Sequence, residues 1–344
     1  MRRFLTRWDL DKTYLRTDFD SVRDLLRTAV ERADQKRTVP GAGSLLRELA
    51  LAGGAVHIVS GSPRQLRGKI EEKLRLDGAT FETLTLKPNL ENFLKLRLRA
   101  VRDQLGYKLP ALLSLRAAMI NPRDDSGALL QEVLFGDDAE ADAFVYSLYA
   151  DICAGHVSES VLARVLERGR AYEDNIVVTL EGLRKVEKGD IVQRIFIHLD
   201  AQSPPSRFAV YGPRVVPFYN YLQAALVLGE DGFLPAPGVL RVAAELVDDH
   251  RFDAEGLARS YLELRRRGAA RGTFVDELRE ALPNLELPPR STSRRELEKM
   301  CERLETALPA LSPVATREVV PMPDYATLVT DHNKRHKKRA GMFG

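Results

Sequence analysis

The stretch that most narrows the fold is residues 39–63, VPGAGSLLRELALAGGAVHIVSGSP. Apolar residues recur at helical spacing up to the Gly53-Gly54 pair, and a short apolar run, Ala55 to Val59, follows at once. A helix that stops on glycine and feeds a wholly apolar strand is the αβ half of a parallel unit, because such a strand must lie between two helical layers. The alternation repeats. Helical periodicity around Leu90–Leu105 and a further helix near Leu109–Met119 lead through the polar loop NPRDDSG to the apolar run EVLFG at Glu132–Gly136, and QRIFIHLD at Gln193–Asp200 is another strand candidate. With a first strand at Arg3–Leu10, the pattern predicts an α/β fold with a doubly wound parallel sheet.

After about Leu234 the residues are helix-spaced and no strand pattern persists, which predicts a C-terminal all-helical appendage. The expected organisation is an α/β domain over 1–234, a helical domain over 235–311, and a Pro-rich segment with a basic tail over 312–344, expected to be disordered. Lys334, Arg335, Lys337, Lys338 and Arg339 contribute five of the positive charges behind the net +3, so the rest of the chain carries −2 and is close to neutral. Two distant cysteines, Cys153 and Cys301, argue against a disulfide framework and for a reducing compartment. No apolar run approaches the roughly 20 residues of a membrane span, and no signal-peptide core is visible, so the expected address is the cytoplasm.

In an open parallel sheet, ligands bind beyond the carboxyl ends of the strands. The polar residues at those ends are Asp9 and Asp11, then Ser60, Gly61 and Ser62, then Asp137 and Asp138, with Glu140 and Asp142 just beyond. A carboxylate cluster of this kind coexists only around a cation, and oxygen-only ligands select a hard one, most often Mg²⁺ shared with substrate phosphate. Two carboxylates two residues apart can then divide the chemistry. One attacks phosphorus while the other donates and later removes a proton. Ser60 and the Gly61 amide suit phosphoryl oxygens, and a lysine is needed to neutralise the charge gathering on the transferred group.

DLDKT at 9–13, VSGS at 59–62 and GDDAEAD at 136–142 resemble motifs I, II and IV of the haloacid-dehalogenase superfamily of phosphotransferases. VSGSPRQL, GYKLPALL and LFGDDAEADAFVY further resemble the catalytic domain of the actin-patch phosphatidate phosphatase family, over about residues 5–200. The resemblance implies a HAD-like Rossmannoid fold, with Asp9 as nucleophile, Asp11 as general acid/base and Thr13 supporting the first loop, on the substrate side with Gly61 and Ser62. It implies Ser60 on the phosphoryl group, Lys108 as the motif III lysine, and a Mg²⁺ set drawn from Asp9, Asp11 through its backbone carbonyl, Asp137, Asp138 and Asp142. The chain departs from the family at Lys12 (Asp in the family), Arg64 (Trp), Gly61 (Asn) and Asp138-Ala139 (Ser-Gly). DKT at 11–13 also opens the P-type ATPase signature, but Tyr14-Leu15 stand where that signature has Gly-Thr.

Lys87 in TLTLKPN competes with Lys108, which is favoured because it opens a helix one element before the strand at 132–136. His57 and His198 are expected inside strands as structural groups, Trp8 beneath the site, and Glu140 as a solvated acid. Arg64 and Arg67 face either an anionic substrate or solvent, and His332 and His336 belong to the tail. Only ordinary helices occupy the intervals from Asp11 to Ser60 and from Ser60 to Lys108, where relatives acting on small metabolites carry a cap. An open site suits a bulky phosphorylated substrate, and the resemblance implies phosphatidate or a related lipid phosphate. The basic tail leaves two further readings, contact with an anionic membrane or with nucleic acid, the second of which would fit a polynucleotide end-phosphatase. A non-catalytic binding or scaffold protein with a vestigial site is the alternative from another class, and the intact Asp9, Asp11, Lys108 and Asp137 set argues against it.

Overall fold

The computed structural model describes residues 3–16, 36–87, 101–119, 122–139, 141–311 and 320–332, with the backbone alone for 101–103. Six parallel strands form one sheet in the order β3-β2-β1-β4-β5-β6. They are β1 (Phe4–Trp8), β2 (Gly54–Pro63), β3 (Thr83–Lys87), β4 (Glu132–Asp137), β5 (Val192–His198) and β6 (Val215–Phe218). Every expected strand is present, and two edge strands are added. β6 reads VVPF, and its Pro217 cannot donate to a ladder, a loss that an edge strand tolerates. The helices are α1 (Ala42–Leu51), α2 (Arg67–Leu76), α3 (Val101–Ala118), α4 (Asp142–Cys153), α5 (Glu159–Arg168) and α6 (Glu173–Lys185). They continue with α7 (Tyr221–Glu230), α8 (Ala236–His250), α9 (Ala254–Arg266), α10 (Val275–Ala281), α11 (Arg294–Ala307) and α12 (325–332).

The glycine pair acts as its sequence suggests. Gly53 takes φ 95°, and a Cβ on Gly54 would meet Leu49 O and the Phe4 ring at 2.8 Å, so α1 can turn tightly into β2 only with glycine there. The two helices expected on either side of Leu105 are, from Val101 onward, the single helix α3, which runs through Pro110. Lys108 therefore lies inside a helix and does not open one.

Each face of the sheet carries an apolar layer. One layer joins Phe4, Trp8 and Phe135 to α1, α2, α7, α8, α9 and α11 without a break at residue 234, so α8 to α11 complete the cover of that face. Arg241 of α8 forks onto Glu48 of α1 at 2.6 Å across the same junction. The other layer contains α3, α4, α5 and α12. Residues 325–332, expected within the disordered tail, pack there as a helix: Val329 is fully buried and Tyr325 donates to Asp151 Oδ2 at 2.5 Å. The five cations of the tail lie outside the described residues. Both cysteines are buried and free, and no helix among the described residues is long and apolar enough to cross a membrane.

His57 is a buried structural group, as expected, with Nδ1 2.9 Å from Thr83 Oγ1. Burial, and then the neighbouring Arg7 charge, push its pKa down from about 6.5 to about 4. Below pH 6.5 the unfolded chain therefore takes up a proton that the folded chain refuses, and stability falls as pH drops through that window, by roughly 3 kcal/mol when complete. Urea midpoints measured between pH 7 and pH 4 are expected to fall less steeply for His57→Leu than for the wild type.

Candidate functional site

β1 and β4 are neighbours, with Trp8 paired to Phe135, so their carboxyl ends bring Asp9 and Asp137 side by side. Trp8 stacks on Phe135 at 3.9 Å, and Phe135 on Phe196 at 5.1 Å, a row of rings that supports the strand ends from below. α4 begins at Asp142, where a carboxylate also complements the helix N-terminus. Gly136 makes this possible, because a side chain there would overlap the Asp142 carboxyl group.

Asp9, Asp137 and Asp142 are buried and each offers a carboxylate oxygen within 4.8 Å of the others. Lys108, fully buried, approaches Asp9 Oδ1 at 3.1 Å and bonds Asp142 Oδ1. The other Asp142 oxygen accepts the Asp137 amide at 3.1 Å, and Asp137 Oδ1 accepts the Ala139 amide at 2.6 Å. Among the described residues, three carboxylates against one ammonium leave an excess of negative charge in a buried place, and an all-oxygen donor set of this kind could hold a metal ion.

Asp11 stands beside this group. Its Oδ2 accepts Ser62 Oγ at 2.9 Å and Ser60 Oγ at 3.4 Å, and the Ser62 amide donates to Ser60 Oγ at 3.0 Å. The bulge of β2 between Ser60 and Pro63 gathers these hydroxyls at the end of the strand, and the space around Gly61 is open. The carboxylate of Asp11 is thus aimed at the end of β2.

The loop after Asp11 is held in an uncommon shape. Lys12 has φ 61°, outside the usual range for a residue with a side chain. Its amide donates to Leu15 O at 2.8 Å, its carbonyl accepts His198 Nδ1–H at 2.8 Å, and Tyr221 donates to Thr13 O at 2.5 Å. Because the partner is a carbonyl, His198 must carry its proton on Nδ1, and burial pulls its pKa below the usual range, so the ring is neutral. His198 ends β5 in register with Asp137, a correction to its expected place inside the strand. Thr13 is completely buried, and Tyr221 holds the loop there through the Thr13 backbone carbonyl.

Asp138 is the second correction. Its two oxygens accept the amides of Ala201 at 2.7 Å and Ser203 at 2.8 Å, which turns the carboxylate away from Asp9 and onto the loop after β5. Lys87 ends β3 with Nζ 6.0 Å from the Tyr107 ring centroid, so Lys108 is the lysine placed among the carboxylates. Arg67 is tied to Leu84 O at 2.6 Å and to Glu71, and Arg64 and Arg67 are both exposed. Tyr107 and Tyr221 were missed by sequence reasoning, and His198 was read as a structural group without its bond to the Lys12 carbonyl. Tyr107 has a buried hydroxyl with no hydrogen-bond partner among the described residues, and burial first, with Asp9 assisting, holds it protonated. Its place directly before Lys108 was the available signal. Glu140, His336 and the intervals 17–35 and 88–100, on which the expectation of an open site partly depends, lie outside the described residues. No protein-family model, curated protein or solved structure matches this chain.

Proposed function

We propose that this chain is a Mg²⁺-dependent phosphomonoester hydrolase that works through an aspartyl-phosphate. The observation that carries the reading is the convergence of Asp9, Asp137 and Asp142 within 4.8 Å, with Lys108 3.1 Å from Asp9. Resemblance to the haloacid-dehalogenase phosphatases supports it from the sequence side. Asp9, Asp137 and Asp142 would hold or orient Mg²⁺, which when bound draws negative charge from the phosphoryl oxygens.

Asp9 attacks phosphorus, forming a carboxylate oxygen–phosphorus bond as the ester P–O bond breaks. Asp11 gives its proton to the leaving oxygen. Water then attacks the same phosphorus, Asp11 takes its proton back from that water, and Asp9 leaves as a carboxylate with release of inorganic phosphate. Ser60, Ser62 and the Gly61 amide bind phosphoryl oxygens, and Lys108 offsets the charge on Asp9 and on the group it receives. The two serines also hold the Asp11 carboxyl between turnovers. A lipid phosphate such as phosphatidate is the substrate class that the narrower resemblance favours.

The deciding experiment is a phosphatase screen over lipid, nucleotide, polynucleotide-end and sugar phosphates with and without Mg²⁺. Release of phosphate only with the metal supports the reading, and no release from any class overturns it. Mg²⁺ is also expected to raise the melting temperature of the wild type in a concentration-dependent way and to leave Asp137→Ala unmoved. A wild-type melting curve indifferent to Mg²⁺ would remove the metal from the scheme.

A further inference from the structure

Beneath the site lies a fully enclosed ionic group. Arg7 of β1 forks onto Glu132 of β4, Nε to Oε2 and Nη2 to Oε1, both at 3.1 Å. Arg116 of α3 donates through Nη1 to Glu132 Oε1 at 2.8 Å and to Leu130 O at 3.2 Å, and Tyr149 of α4 donates to Glu132 Oε2 at 3.0 Å. All three charged side chains are 0% exposed. Two guanidinium groups thus share one carboxylate, and neither can lose its proton. The remaining titratable neighbours add no negative charge, since burial and then Glu132 raise the Cys153 thiol to about 12, while burial keeps Tyr149 protonated and His57 neutral. The group therefore encloses one net positive charge.

Its hydrogen bonding is also incomplete. Arg116 Nε and Nη2, together the side-on fork by which arginine grips an oxyanion or halide, are buried and meet no acceptor among the described residues, and Arg7 Nη1 is in the same condition. Buried N–H groups require acceptors, and water could supply lone pairs. Water would leave the group's net positive charge without an anion in contact with the fork, and a buried charge so placed costs several kcal/mol. A monovalent anion answers both demands.

From this we infer that the Arg116 fork is an internal binding site for a small monovalent anion of the halide class, chloride being the abundant member. The site has a particular place in the fold. Arg7, Glu132, Arg116 and Tyr149 lie on the same four elements that carry Asp9, Asp137, Lys108 and Asp142, so the anion completes the joint that sets those elements against one another. The inference is independent of the proposed activity.

The test compares melting of the whole protein in sodium chloride, sodium bromide and sodium gluconate at equal ionic strength, gluconate being too large to be enclosed. Chloride and bromide are expected to raise the wild-type melting temperature over gluconate by roughly 2–4 °C, and Arg116→Met is expected to lose that difference. Equal wild-type melting in the three salts overturns the inference and leaves water on the fork. Should Arg116→Met fail to fold, crystals of the wild type grown in bromide decide the matter. An anomalous peak within hydrogen-bond distance of Arg116 Nε and Nη2 supports the site, and its absence sinks it.

Discussion

Asp9→Asn is expected to abolish turnover, and Asp11→Asn to slow it by about two to four orders of magnitude, the usual worth of a general acid/base. The difference follows from position. Asp9 is buried against Lys108, facing Asp137 and Asp142, in the position that the proposed mechanism gives its nucleophile, and an amide there is no nucleophile. Asp11 lies half-exposed against the Ser60 and Ser62 hydroxyls, where it can reach a leaving oxygen and then a water. Phosphate release under single-turnover conditions, with thermal melting to verify folding, separates the two. Wild-type turnover in Asp9→Asn would make the nucleophile assignment untenable.

Lys108→Met is expected to remove activity and also to destabilise the fold, by about 3–5 kcal/mol, because it strands Asp9 and Asp142 as buried carboxylates without their ammonium. The double variant Lys108→Met with Asp142→Asn is expected to recover part of that stability and none of the turnover, since the electrostatic debt falls while the phosphoryl group still lacks its cation. Chemical denaturation and phosphate release on the same preparations test both halves. A Lys108→Met protein as stable and as active as the wild type would refute the coupling.

Much of the site was legible because its residues stand at strand ends. Strands apolar on both faces and helices stopped by glycine are local signals, and they sufficed to place Asp9, Asp11, Ser60 and Asp137 at one edge of a parallel sheet. The lysine could be narrowed to two positions, and helix α3 chose Lys108 by running its middle past Asp9. Neighbouring aspartates were harder. Asp137 and Asp138 are indistinguishable by type and spacing, and amides more than 60 residues away, on Ala201 and Ser203, draw Asp138 out of the cluster.

The sequence by itself determined the layered α/β class and the order of the acidic and hydroxyl strand ends, because hydrophobic period and turn chemistry act over a few residues. Tertiary structure alone decided the rest. The C-terminal helices proved continuous with one face of the sheet because the apolar surface of α1 needs α8 to bury it, a fact about contacts and not about spacing. His198 and Tyr221 brace the Lys12–Thr13 loop only because β5 and α7 bring them there, and no local pattern marks either residue. The enclosed Arg7–Glu132–Arg116 group looks, in sequence, like three ordinary charged positions. Only the closing of α3 and α4 over the sheet takes those charges out of water, and burial is what turns them into a site.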